Sequence, residues 1–246
     1  MCAAAEIVSG DPLLQRIDEA LLVPGTPNHP LGTDHLGRDV LSRLLHGGRS
    51  SYIVALGSAL VAGTIGTTLG LVSGIGRRTW VDRALRIATD SVLAFPTVLL
   101  AITVGLVMGP GRNQVTWTLG IVFSPVVYRV ARLETRRTIL RDYYLVSRML
   151  GTAASARAAF HLLPSVLPQV LIQLASLAAL AVGTEAALSF LGLGTQPPEA
   201  SWGLMLNDAR RYLVQAPYLS LFPGIAAGLL AFSLQYISDS LAVRLA

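Results

Sequence analysis

The chain has 246 residues, 52% of them hydrophobic and 13% charged, with a mean hydropathy of +0.58. That is too apolar and too poor in charge for an ordinary soluble domain, and it points to the membrane. The net charge of +5 comes from 19 basic residues that are all arginine, set in loops between long apolar runs; this is the pattern of a positive-inside bias and excludes a nucleic-acid surface. Cys2 is the only cysteine, so no internal disulfide or thiol metal cluster can form.

The first ten residues, MCAAAEIVSG, have neither a basic n-region nor an apolar core long enough for a signal peptide or a span. Proline and glycine at positions 12, 24, 25, 27 and 30 then read as an irregular surface segment. Within His29–Ser51, the apolar positions Val40, Leu41, Leu44 and Leu45 have amphipathic spacing and predict an interfacial helix, so that 1–50 forms an N-terminal segment ahead of a membrane domain, 51–246. Tyr52–Ile75 has no charged residue in 24 positions, enough at 1.5 Å per residue to cross a hydrocarbon core of roughly 30 Å. In this first span, 52–75, Ala62, Gly66, Gly70 and Gly74 recur every four residues; they are either a face for close helix approach or the plain frequency of glycine in membrane helices. Arg77, Arg78, Arg83 and Arg86, with Trp80 as an interfacial anchor, predict a cytoplasmic loop, and parity then places 1–50 outside.

The uncharged run 91–108 predicts a second span, with Phe95-Pro96 near its start. After the turn Gly109-Pro110-Gly111, a third span is expected at 113–132, interrupted by Pro125 and ending in Arg129 and Arg132, whose side chains can snorkel to the interface. A dense basic segment follows and predicts a cytoplasmic loop over 134–163. In it a short helical pattern, Tyr144, Leu145, Met149 and Leu150, stops at Gly151, and Pro164 opens the next apolar run. A fourth span is expected at 162–190, carrying Glu185 as its one embedded acid; an intramembrane acid is a candidate polar site, for ion coupling or for a bond to a neighbouring helix or water. Residues 191–213 carry Gly and Pro punctuation, Trp202 and a short helix pattern, 218–238 predicts a fifth span, and Asp239–Ala246 a short cytoplasmic tail.

Four stretches carry a family resemblance: HPLGTD-x-x-GRD-x-x-SR from His29, LSFLGLG-x-x-PP from Leu188, WG-x-M-x-x-DAR from Trp202, and Gly151 with Leu163-Pro164 in the basic loop. Together they resemble the permease subunits of bacterial ATP-binding-cassette importers, in the dipeptide, oligopeptide and nickel branch. The loop's Gly151 and Pro164 match the family's "EAA" loop, although Leu145, Val146 and Ser147 stand where its glutamate and paired alanines belong. The resemblance implies an all-α polytopic fold, the type I importer transmembrane domain, in the bacterial inner membrane. It also implies six spans, so the one ahead of HPLGTD is expected to be missing or cut to the remnant CAAAEIVSG.

By the same resemblance the chain should pair with a homologous permease and two ATPase subunits, with an extracytoplasmic binding protein delivering short peptides; nickel or another chelated metal is the alternative cargo. ATP and Mg would sit on the ATPases and no cofactor or metal on this chain, which has no G-x-x-x-x-G-K-[ST] pattern because it has no lysine. Tyr144, Leu145, Ser147, Met149, Leu150, Gly151 and Pro164 are then the coupling residues, docked in an ATPase groove; the other reading is a helix lying on the membrane surface. A secondary transporter is disfavoured because no inverted repeat is evident.

Overall fold

The computed structural model describes residues 12–76 and 80–245. Among these residues the chain is helical, its extended pairings being limited to isolated bridges such as Thr26 with His29 and Thr33 with Asp39. It divides into two compact units. One takes in the chain up to Leu56, Ile102–Thr118 and Ala179–Ser233; the other takes in Gly57–Ala101, Leu119–Ala178 and the chain from Leu234 on. The proposed remnant of a first span and Arg77 and Arg78 lie outside the described residues.

Helix α1 runs Val40–Ile75, 36 residues without a break. The expected interfacial helix is therefore not separate, and no boundary falls at residue 50. Asp39 sets the start, its carboxylate accepting a hydrogen bond from the Ser42 N–H at 2.7 Å as a helix cap does. Gly47 and Gly48 do not interrupt the helix because they make room: a Cβ on Gly48 would lie 2.7 Å from the Trp202 ring. Trp202, the first residue of a short helix, in turn donates its indole N–H to the Leu44 carbonyl at 2.8 Å and joins Val40, Met205, Ala209 and Leu219 in the first unit's apolar core.

Helices α2 (Trp80–Leu93) and α3 (Thr97–Met108) meet at 99°. The expected span 91–108 is broken at Pro96, which has no N–H to continue a ladder and disfavours helix at the residue before it. The remaining 12 residues of α3 reach only about 18 Å. Arg83 and Arg86 belong to α2 and not to a loop.

Helix α4 (Arg112–Thr138) extends the third expected span by six residues past Arg132 and keeps Pro125 within it. Helix α5 (Asp142–Met149) is followed by α6 (Ala154–Arg157), a π-helical turn (Ala158–Leu162) and α7 (Leu163–Phe190). Pro164 thus does not open the apolar helix, which starts ten residues earlier at Ala154. The π turn directly precedes it, where one extra residue per turn loosens the ladder that a proline cannot complete. Helix α8 (Trp202–Ala209) is capped by Ser201, and α9 (Tyr218–Leu245) absorbs the expected tail as two further turns.

Among the described residues three helical runs, Val40–Ile75, Ala154–Phe190 and Tyr218–Leu245, are long and apolar enough to cross a membrane, or four if the bent α2–α3 pair counts as one. The 27-residue α4, with arginines at both ends, is long enough but is not among them, so the described helices support at most four of the five expected spans.

In the second unit the small-residue stripe of α1 packs on α4. A Cβ on Gly66 would lie 2.6 Å from the Ser124 carbonyl oxygen, on Gly70 2.6 Å from the Ala131 Cβ, and on Gly74 2.5 Å from the Thr135 Cβ. Ala62, one turn earlier on α1, is also buried. Several of the opposing atoms are backbone, so the two helices approach as closely as their main chains allow. Gly70→Leu should force them apart. Overpacking of this kind costs about 1–3 kcal/mol, and here more because the α4 backbone cannot yield. A melt of the detergent-purified chain should show a lower midpoint and poorer recovery for Gly70→Leu, and an unchanged melt would remove the stripe from the packing.

Candidate functional site

The basic loop folds as a short helix pinned to the start of a long one. Helix α5 ends in a Schellman motif: Thr152 N–H donates to the Ser147 carbonyl at 3.2 Å and Gly151 N–H to the Arg148 carbonyl at 3.1 Å, with Gly151 left-handed at φ +72°. The Tyr143 hydroxyl lies 3.2 Å from the Ser165 hydroxyl and its ring 5.8 Å from that of His161. The Arg157 guanidinium sits over the Tyr144 ring at 5.9 Å and donates to the Thr152 carbonyl. The loop helix is therefore tied at both ends to α6, the π turn and the first turn of α7.

Its faces differ from the expected ones. Tyr144 and Ser147, three residues apart, point inward and are buried, so they are not part of an outward anchor. Leu145, Val146, Met149 and Leu150 are exposed, Met149 and Leu150 at 85% and 79%. Covering such side chains, by lipid or by another protein, is worth roughly 1.5–3 kcal/mol each. Gly151 has nothing within 4 Å of where a Cβ would stand, so its requirement is conformational and not steric. Pro164 lies on the helix that receives α5, not on this surface.

Sequence reasoning missed the group behind the loop. Asp82 on α2, buried at 2% exposure, accepts from the Ser73 hydroxyl at 2.5 Å, from Arg132 Nε at 2.8 Å and from Arg136 Nη2 at 2.8 Å, with Arg86 at 3.6 Å. Ser73 also lies 2.8 Å from the Tyr128 hydroxyl. One carboxylate thus joins the end of α1, the start of α2 and the last turns of α4, the helix that leads into α5. Arg129 pairs with Asp90 at 2.7 Å. Arg132, expected to snorkel at the end of a span, and Arg136, which read as loop charge, are structural, whereas the Arg129–Asp90 pair is exposed on both sides.

In the first unit, Glu185 is buried and accepts from Ser189 Oγ at 2.6 Å and Ser51 Oγ at 3.0 Å. Ser189 is one turn on along the same helix, and Ser51 is on α1. The HPLGTD segment folds around Asp34, which accepts from the N–H groups of Leu36 and Arg38 and from the Arg38 and Arg43 guanidiniums at 2.7 and 2.5 Å. Asp208 lies 3.5 Å from Arg43 and 3.6 Å from Arg38. Burial pushes its carboxyl above the usual range, against the opposing pull of His35 and Arg38. Among the described residues no group of three or more His, Cys, Asp or Glu could hold a metal ion.

The family described as "Binding-protein-dependent transport system inner membrane component" matches residues 66–246. The glutathione transport system permease protein GsiD of Pectobacterium atrosepticum is 38% identical over 213 residues, covering 87% of this chain and 70% of that protein. A putative peptide transport system permease protein of Brucella suis is 34% identical over 235 residues, 96% of this chain and 78% of the relative. The dipeptide transport system permease protein DppC of Alkalihalophilus pseudofirmus is 34% identical over 87% of this chain and 70% of its own length. The fold is similar to a chain of the MetNI methionine ABC transporter in an inward-facing conformation, with a TM-score of 0.65 and 15% identity over 84% of this chain and 97% of that one.

Gly151 offers a clean test of the loop because a side chain there meets no neighbour. Gly151→Val should cost about 1–2 kcal/mol through the left-handed backbone alone, whereas Gly151→Asn, which tolerates that conformation, should cost little. Limited proteolysis of the inserted chain should cut 142–163 faster in the valine variant only; equal cutting of all three forms would contradict the glycine's role.

Proposed function

The chain belongs to the family of binding-protein-dependent transport system inner membrane components, and on that footing we propose that it is the permease subunit of an importer for short peptides, paired with a homologous permease in the bacterial cytoplasmic membrane. An importer of this kind works with an ATPase and a binding protein. Peptide cargo is supported by the relatives, which are named for glutathione, dipeptides and peptides.

The observation that carries the coupling reading is the exposed face Leu145, Val146, Met149 and Leu150 on a helix anchored to the transmembrane run. Two ATPase subunits, which hold ATP and Mg, each receive such a loop helix in a groove, this chain supplying one. When they close on ATP, the displacement of α5 passes through Tyr143 and Ser165 into α7, and through α4 and Asp82 into α2 and α1. An anchor made of apolar side chains suits this task because its seat depends on shape and burial and not on a screened surface charge. The transmembrane helices then alternate between outward and inward access, and the binding protein loads the path from outside. Arg141, which precedes α5, and Arg148, in its last turn, make no ion pair with any described residue and favour the cytoplasmic side for this loop.

The test is reconstitution of the chain with its second permease, ATPases and binding protein in liposomes. Uptake of labelled dialanine should require ATP and the binding protein, and Gly151→Val should lower it at least tenfold while the permease still inserts. Uptake driven by an ion gradient without ATP would assign the chain to a secondary transporter, and normal uptake by Gly151→Val would remove α5 from the coupling path.

A further inference from the structure

We propose that an open cleft in the first unit binds the charged termini of a free short peptide, an inference that rests on the peptide reading above. The cleft encloses about 410 Å³, within the roughly 300–1,000 Å³ of small-molecule sites. One wall is a single face of α1: His46, Arg49, Ser50 and Ile53 stand at i, i+3, i+4 and i+7. Arg112, the first residue of α4, Glu199, in the segment before α8, and the chain at Pro12 and Leu13 line much of the rest.

Among the described residues, the charges facing this space do not balance. Arg112 lies 3.4 Å from Glu199, and its Nε is buried with no hydrogen-bond acceptor. Arg49 is exposed and makes no ion pair with any described residue. Two guanidiniums thus line the cleft with one carboxylate among the described residues, and only Arg112 is paired with it. Arginine presents a planar fork of donors that matches a carboxylate bidentately, so the missing partner has the chemistry of a second carboxylate. Once that carboxylate engages the arginines, Glu199 is left to accept from a cation. A peptide with free ends supplies both groups, the α-carboxylate for Arg49 and Arg112 and the α-ammonium for Glu199. Ile53 and the neighbouring Pro198 and Ala200 offer apolar surface to whatever side chains lie between. Recognition through the two termini is indifferent to peptide sequence, which suits a permease that must pass many peptides.

The experiment measures binding to the full chain in nanodiscs of phosphatidylcholine, without a binding protein, using dialanine, dialanine amide and N-acetyl-dialanine. Dialanine should bind saturably and both blocked forms about tenfold more weakly. Arg49→Gln, at an exposed position where packing is not at stake, should weaken dialanine about tenfold and leave the amide unchanged. Glu199→Gln should remove the preference for dialanine over its N-acetyl form. The proposal is overturned if the wild type shows no saturable binding, if all three probes bind alike, or if the variants bind as the wild type does. It is equally overturned if no peptide binds and, in parallel nanodiscs that also contain phosphatidylglycerol, Arg49→Gln instead loses enrichment of that lipid around the chain, which would assign the arginines to a lipid headgroup. ATP-driven dialanine uptake that is unchanged in Arg49→Gln defeats the cleft and leaves the permease reading standing, whereas the absence of any such uptake by the wild-type importer defeats the reading itself.

Discussion

A carboxylate held among arginines organises the second unit. Asp82 cannot be buried as a bare charge, since taking an unpaired ion out of water costs several kcal/mol, and Arg132, Arg136 and Ser73 meet that requirement together. Because each of these partners sits on a different helix from Asp82, satisfying one charge fixes the end of α1 and the last turns of α4 against α2. The glycine stripe adds the complementary constraint. With no Cβ at Gly66, Gly70 or Gly74, α1 and α4 lie close enough for Ser73 and Arg132 to reach the same oxygen at 2.5 and 2.8 Å. Removing the acid alone would strand two partly buried guanidiniums, a loss of about 3–5 kcal/mol for a buried pair broken on one side.

The consequence for function lies in where α4 leads. It ends at Thr138, and four residues later α5 begins, carrying the exposed apolar face. A lever transmits displacement only if its mount is stiffer than its tip. Here the mount is a network of charge-assisted hydrogen bonds on one side and the Tyr143, Tyr144 and Arg157 contacts on the other, while the tip is a two-turn helix with little packed around Met149 and Leu150. Stiffness at the base and bare apolar surface at the tip together suit the proposed coupling element between two proteins; the apolar surface alone would also suit a helix on lipid, which has no use for the stiff mount.

Much of this was legible in the sequence where the signal is local. The left-handed stop at Gly151 and the four-residue spacing of the stripe each follow from the residues in one window. What escaped were matters of long range. Arg129 and Arg132 look like snorkelling span ends and Arg136 like loop charge because their acids, Asp82 and Asp90, lie 39 to 54 positions away in the chain. Tyr144 was expected outside because helical spacing groups apolar residues without saying which face turns inward, and on a helix of eight residues only two positions do. Pro96 and Pro164 were both recognised as punctuation, yet one breaks a helix by 99° and the other is absorbed beside a π turn; the difference depends on what neighbouring backbone can yield. The helix boundary at residue 50 failed for a related reason, since Gly47 and Gly48 serve the Trp202 ring and not a break.

The measurement that bears most directly on coupling is cysteine accessibility on α5 in the assembled importer. With Cys2 replaced by serine, a cysteine at Met149 and a control cysteine at the equally exposed Val214 are labelled with maleimide in the isolated permease and again with the ATPase subunits bound. Both should label readily in the permease alone, and only the cysteine at position 149 should become protected on ATPase binding. Equal labelling of both positions in the complex would contradict the assignment of α5 as the seat of the ATPase.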